Sequence, residues 1–381
     1  MKIYWFVQQL NRIGGTEMVS IELMKHLAQY YDITLVSVSE IKGPIVYDTD
    51  DLKITSLNVP QNVCRFDEFL SRYFKSHAYI KVIKLSYNLL KEFIFKRHHY
   101  RGLISNMSNP DDLIIASSMD SYIYAPLDRK CVFHYHFNAQ TYFSLGNQLM
   151  SLLARKSDQT VLLTRATYET IIAKEKHPKT RYRYIYNPSR FARKDIAVHS
   201  IPNFIFMGRL EKQKNPMCLL EVMNILKQKQ IAFHLDILGE GSYSEKMAAY
   251  IKENNLTSDI TLHGQVTNIK DFLSNSDINI MTSIYEGFPL SIIEASSYSL
   301  YNITTNWGDA VNEAVNGQNG IVIDSFEPEI IAEEIIKVLN QDLNVLKHQS
   351  YLDAKRFEFQ TIEQEWLKLF KEIREEPSWK K

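Results

Sequence analysis

Two glutamates eight positions apart, Glu286 and Glu294, enclose Gly287-Phe288-Pro289-Leu290-Ser291, and here residue type and spacing suggest chemistry. The apolar run Asp277-Ile278-Asn279-Ile280-Met281 ahead of them reads as a short buried strand, and the periodic segment behind them as a helix. A carboxylate therefore stands on each side of a helix start. Gly287 lets the backbone turn tightly or approach a ligand, while Pro289 has a preset φ and no N–H to lose at a first helical position. The N–H groups that follow, from Leu290 onward, form an anion-attracting helix end. A glutamate beside a phosphate repels it, so Glu286 and Glu294 are better suited to neutral hydroxyls such as a vicinal diol. The stretch suits a ligand that is part phosphate and part sugar. The plainer reading has Glu286 ending a strand at the surface and Glu294 favouring the first helical turn electrostatically.

Three further places carry chemistry. In Gly208-Arg209-Leu210-Glu211-Lys212-Gln213-Lys214-Asn215-Pro216, the loop follows a strand over 203–207 and precedes a Pro-started helix over 216–229. Arg209 can fork onto phosphate oxygens and Lys214 can add a point charge, together neutralising a diphosphate. Surface cations are the alternative for any one lysine. Gly14-Gly15 lies between a strand over 3–7 and a helix over 16–30, where adjacent glycines let a ligand reach the backbone; it is not a G-x-G-x-x-G fingerprint. His134 and His136 sit where a strand over 131–135 gives way to its loop, the ligand-binding edge of an α/β sheet. They read either as site residues or as satisfied structural histidines, and no third metal ligand is suggested by spacing.

The elements that must position these residues repeat one unit, strand-loop-helix-strand, once from residue 3 and again from residue 203. With 381 residues there is room for two α/β domains, each with its own core, and the polar segment 189–202 is the expected boundary. Apolar content of 45% and charged content of 23% are those of an ordinary soluble protein. The first residues are too short an apolar run for a signal peptide, no run reaches a membrane span, and Cys64, Cys131 and Cys218 give no disulfide framework, so a cytoplasmic location is expected. Net charge is zero but divided: residues 1–190 hold 25 Lys and Arg against 17 Asp and Glu, and residues 191–381 hold 19 against 27. Such asymmetry suggests different partners for the two halves.

Residues 72–101 carry eight Lys or Arg against Glu92, with Ile80, Ile83, Tyr87, Leu90 and Ile94 on one helical stripe. This reads equally as a basic amphipathic helix on an anionic membrane surface, which would make the protein peripheral, or as a packed helix with a solvated lysine face. No nucleic-acid motif accompanies it. Asp48-Thr49-Asp50 resembles a metal-binding D-x-D, yet its loop context after Pro44 reads as a solvated acidic turn.

Tyr285–Ala295 resembles the E-x7-E element of retaining, nucleotide-sugar-dependent glycosyltransferases of family 4, the bacterial polysaccharide and glycolipid type with the GT-B fold. Other segments agree: Gly14-Gly15-Thr16-Glu17 resembles the Gly-Gly-x-Glu loop lining the catalytic cleft, and Gly208–Pro216 the G-R-x-x-x-x-K element. His136-Phe137-Asn138 is similar to the strand-end histidine pattern near the reacting sugar, more so than His134, and Asn187-Pro188 is a reversed form of the Pro-Asn region. The resemblance covers nearly the whole chain. It implies an α/β fold of two Rossmann-like doubly wound domains facing a central cleft: residues 1–190 on the acceptor side, 191–358 binding the donor, and 359–381 a helix returning to the first.

The implied reaction moves a sugar from a nucleoside diphosphate, UDP being expected, to a hydroxyl of a glycan, lipid-linked or surface-polymer acceptor with retention, by same-face attack. His136, Glu286, Arg209 and Lys214 are the implied catalytic residues. Gly14, Gly15, His134, Gly208, Arg209, Lys214, Glu286, Gly287, Phe288, Leu290 and Glu294 are the implied donor contacts, with Glu294 on the ribose. Gly239-Glu240-Gly241 would lie near the nucleotide, and 265–268 near its base. No cofactor, metal or nucleic acid is implied. A sugar-nucleotide epimerase of the same fold and a non-catalytic accessory protein are the alternatives.

Overall fold

The computed structural model describes residues 1–12, 14–59, 98–117, 121, 124, 129–136, 157, 159–174 and 181–375. Most of the basic stretch 72–101 lies outside them, as do Phe137 and Asn138. The chain divides into two compact units: residues 1–163, 167–185 and 363–381, and residues 164–166 with 186–362.

The first unit is built on a seven-stranded sheet in which every pair is parallel, ordered β3-β2-β1-β4-β5-β6-β7. Its strands are β1 (Lys2–Val7), β2 (Asp32–Ser39), β3 (Lys53–Val59), β4 (Leu113–Ala116), β5 (Lys130–Tyr135), β6 (Gln159–Leu162) and β7 (Arg181–Tyr184). Continuous apolar runs such as Ile3–Val7 and Leu113–Ala116 form such strands because helices cover both faces, so no position needs a polar residue. Helix α1 (Gly15–Leu27) buries Val19, Leu23, Met24 and Leu27. Strand order reverses between β1 and β4, which brings the loops after β1 and β5 to the edge where such sheets bind ligands.

The second unit repeats the plan with six parallel strands, ordered β10-β9-β8-β11-β12-β13. These are β8 (Asn203–Met207), β9 (His234–Leu238), β10 (Ile260–Gly264), β11 (Ile278–Met281), β12 (Tyr301–Thr305) and β13 (Gly320–Ile323). Phe204, Phe206, Leu235, Ile237, Ile278 and Ile280 form its core with Leu219, Val222, Met223 and Leu226 of the helix Pro216–Gln228. Here the order reverses between β8 and β11, so the loops 208–215 and 282–289 leave the sheet side by side.

The division falls at Ile185 and Tyr186 rather than at the expected 190. Polar residues in 189–202 do not make an exposed linker, because they find partners within the second unit. Ser189 donates its N–H to Phe357 O at 2.8 Å, Lys194 to Ser297 O at 2.7 Å, and Arg193 pairs with Glu358 and donates to Tyr351 O at 3.0 Å. Deeper still, Lys347 is 1% exposed; its Nζ donates to Asp277 Oδ1 at 2.7 Å and to Ser276 O at 3.2 Å.

The helix Phe359–Glu375 joins the first unit from Glu363 onward. Trp366 is fully buried with its ring 5.2 Å from that of Trp5 and 5.0 Å from His134, and Phe370 meets Tyr31 edge-on at 5.3 Å. Lys130 Nζ donates to Ile373 O at 2.5 Å, and Arg183 pairs with Glu372.

Candidate active site

The neighbouring loops after β8 and β11 explain why Lys214 and Glu286 meet although they are distant in sequence. After β8 the chain forms a single 3-10 turn, Lys212–Lys214, and then Asn215 adopts the left-handed conformation at φ 49° and ψ 50°, a state in which asparagine is among the least strained residues. Pro216 then opens the following helix. Thr282 Oγ1, just past β11, donates to the carbonyls of Lys214 and Asn215 at 3.2 and 3.0 Å, and Ile284 N donates to Gln213 O at 2.8 Å. The loops are thereby stitched together, and Lys214 Nζ lies 2.7 Å from Glu286 Oε1. Both side chains are largely shielded, at 14% and 9% exposure. Gln213 Nε2 donates to Tyr285 O at 2.9 Å and to Glu286 Oε2 at 3.3 Å, so Glu286 is held at both oxygens.

Behind Glu286 the side chain of Phe288 is 5% exposed, stacked on Tyr186 at 5.4 Å and meeting Phe357 at 5.7 Å. Any contact of Phe288 with a ligand is thus left to its backbone. The helix after it runs Leu290–Ser297 with Pro289 as its N-cap, one residue outside the first helical position expected. Pro289 offers no side-chain cap, which leaves the N–H groups from Leu290 facing outward from the helix end. Glu294, 4% exposed, is clamped by Arg190: Nε lies 2.5 Å from Oε1 and Nη2 3.3 Å from Oε2. Burial raises the Glu294 carboxyl above its ordinary range, and Arg190 opposes that shift. Arg209 is exposed at the mouth of its loop, beside Glu211.

The three loops at the carboxyl ends of β8, β9 and β10 are laced by backbone hydrogen bonds, Leu210 N to Glu240 O at 3.0 Å and Gly239 N to Gly264 O at 2.8 Å among them. Glu211 accepts from Ser242 N at 3.0 Å and Ser242 Oγ at 2.7 Å. Together they surround a cavity of about 420 Å³ lined by Leu210, Gly239, Glu240, Gly241, Leu262 and Gly264. Gly239 has φ +139°, and a Cβ there would stand 1.9 Å from Gly208 O. Gly239→Ala is therefore expected to lower Tm by several degrees, since the loop cannot keep its path. Thermal melting of the wild type and the variant checks this; an unchanged Tm refutes it.

In the first unit Gly14 N donates to Tyr47 Oη at 2.7 Å, and Tyr47 Oη donates to Arg12 O at 2.5 Å, which fixes the Gly14-Gly15 loop. Glu17 folds back beneath it, its carboxyl raised by burial. A Cβ on Gly14 would lie 2.4 Å from Glu17 Oε2, so a larger residue there would have to displace the end of that side chain. Asp48 pairs with Lys25, consistent with a solvated acidic turn. His134 is 2% exposed between Trp5 and Trp366, a core residue, whereas His136 is half-buried beyond the strand end. His136 Nε2 and His134 Nδ1 lie 3.1 Å apart. Burial holds His134 well below the usual range and His136 at about 3, so both rings are neutral at physiological pH and act by hydrogen bonding.

Sequence reading did not find Arg190, Gln213 or Tyr47. Gln213 was adjacent to a chosen lysine, but its partner lies 73 residues on. Arg190 and Tyr47 carried no local signal.

Two parallel doubly wound units, with cations and acids gathered at the switch point of the second, have the plan of the GT-B fold. Residues 190–356 match the family model described as Glycosyl transferases group 1. Over its length the chain is 22% identical to a Campylobacter jejuni enzyme named GalNAc-alpha-(1->4)-GalNAc-alpha-(1->3)-diNAcBac-PP-undecaprenol alpha-1,4-N-acetyl-D-galactosaminyltransferase, covering 98% of this chain and 99% of that protein. It is 24% identical to the Staphylococcus aureus capsular polysaccharide biosynthesis glycosyltransferase CapH, covering 97% and 98%. The solved structure of the pneumococcal O-GlcNAc transferase GtfA in complex with UDP and GlcNAc superposes with a TM-score of 0.77 at 14% identity, covering 99% of each chain.

Proposed function

We propose that the protein is a retaining glycosyltransferase that moves a sugar from a UDP-linked donor to a hydroxyl of a lipid-linked or surface-polymer glycan. The observation that carries this reading is the shielded Lys214–Glu286 pair beside the helix end at Leu290. Departure of a nucleoside diphosphate builds negative charge, and preorganised cations and N–H groups lower the barrier to it. Lys214 has three donors, so pairing with Glu286 leaves others for phosphate oxygens. Arg209 adds a planar fork at the loop mouth. Glu286, fixed by Gln213 and Lys214, accepts from sugar hydroxyls, with the backbone of 287–290 beside it. Glu294 accepts from the ribose diol, and the cavity beside Gly239 takes the base.

Same-face attack, with the diphosphate assisting removal of the acceptor proton, gives retention. His136, as a neutral imidazole, hydrogen-bonds the donor sugar. The names of the relatives support a polymer or undecaprenyl-linked acceptor, and the UDP bound in the pneumococcal structure supports a UDP-sugar donor. Incubation with a panel of UDP-sugars tests the reading: UDP release that depends on an added acceptor supports it, whereas acceptor-free conversion of the sugar nucleotide points to an epimerase, and no turnover of any donor refutes it.

An acceptor held in a membrane gives the basic stretch 72–101 a use at the cytoplasmic face. Among the described residues no helix is long and apolar enough to cross a membrane. Cosedimentation with anionic vesicles is expected to be strong at low salt and to fall as salt rises; absence of binding at low salt retires the idea.

A further inference from the structure

Arg190 occupies the segment that leads from β7 into the second unit, 104 residues before Glu294. Its guanidinium grips both oxygens of that carboxylate and lies 4.7 Å over the ring of Phe191. The backbone on either side of the pair is tied down: Ser189 N donates to Phe357 O at 2.8 Å, Ser297 Oγ to Ser189 Oγ at 2.7 Å, and Lys194 N to Ser297 O at 2.7 Å. Ser297 lies one turn of helix beyond Glu294, so the two ends of the clamp are themselves joined.

We propose that Arg190 is a positioning residue that holds Glu294 ionised and aimed at the nucleotide's ribose. This rests on the reading of Glu294 given above. An ionised carboxylate has about four acceptor sites. Two are taken by the arginine fork, and the remainder suit two neighbouring hydroxyls. A carboxylate buried without a cation takes up a proton, which turns one of those acceptor sites into a donor. Among the described residues the charge acting on Glu294 is that of Arg190, with burial working against it. An arginine keeps its charge throughout the physiological range, so it supplies this constraint at any pH.

The sign follows directly. Burial raises the Glu294 carboxyl and Arg190 opposes the rise; removing Arg190 lets protonation advance as pH falls. UDP affinity is to be measured by titration calorimetry on the full chain near pH 6 and near pH 8, for the wild type and for Arg190→Met, Arg190→Lys and Glu294→Gln. The wild type is expected to change little with pH. Arg190→Met is expected to bind about tenfold more weakly near pH 8, and about tenfold more weakly again near pH 6, each factor corresponding to about one pK unit.

Arg190→Lys keeps the charge and loses the fork, so its loss is smaller and flat with pH; it carries the measurement if the Met variant does not fold. A pH-independent loss shared equally by both variants, or no loss in either, overturns the positioning role. If Glu294→Gln weakens UDP while the Arg190 variants do not, this inference falls alone. If Glu294→Gln leaves UDP affinity unchanged, the ribose reading falls and this inference with it.

Discussion

Lys214→Ala is expected to cut acceptor-dependent UDP release by about 10²–10³-fold, the scale seen when one preorganised donor to a developing negative charge is removed. The loss is expected mainly in kcat, because diphosphate charge grows on going to the transition state and the ammonium interacts more strongly there. The fold should survive: Lys214 stands in a 3-10 turn whose backbone is held by Thr282 and by Asn215, not by the ammonium. Glu286 keeps Gln213 as a donor at Oε2. Steady-state kinetics with a circular dichroism spectrum as control decides it; near-normal kcat with an intact spectrum excludes Lys214 from the chemistry.

Stability depends on a different lysine. Lys347→Ala is expected to cost about 3 kcal/mol, the low end of the range for removing one partner of a buried ion pair. Asp277, with no exposed side chain, keeps His199 Nδ1 at 3.1 Å and Asn203 N at 2.9 Å, so it is not wholly abandoned. Denaturant melts of the wild type and the variant give the difference. Adding Asp277→Asn should recover part of it, since the charge left in the interior is then gone; a loss below about 0.5 kcal/mol, as for an exposed pair, refutes the assignment.

The parallel sheets were legible because buried strands read as short apolar runs and their loops carry Gly, Pro and Asn. Arg209, Lys214 and Glu286 lie in those loops and Glu294 on the helix that follows, so local spacing was enough to single them out as candidates. What joined them could not, because it depends on strand order. Lys214 meets Glu286 through the reversal between β8 and β11, and Arg190 meets Glu294 across 104 residues. The two histidines share a strand parity, so alternation alone could not tell that His134 turns into the core beside Trp366. Pro289 differed by one position because a proline N-cap and a proline first residue look alike in sequence. The segment 189–202 read as a linker for its polarity, and its polar groups proved to be anchored ones.

The helix Phe359–Glu375 puts Trp366 and Phe370 into the core of a unit otherwise built from the first half of the chain. During synthesis that half emerges early yet cannot complete its interior until residues 363–375 have followed it out of the ribosome. A fragment ending at Ile185 would expose the face of Trp5 and Tyr31 that this helix covers. Attempts to produce the N-terminal half by itself should meet an aggregating product unless a peptide spanning 359–375 is supplied in trans.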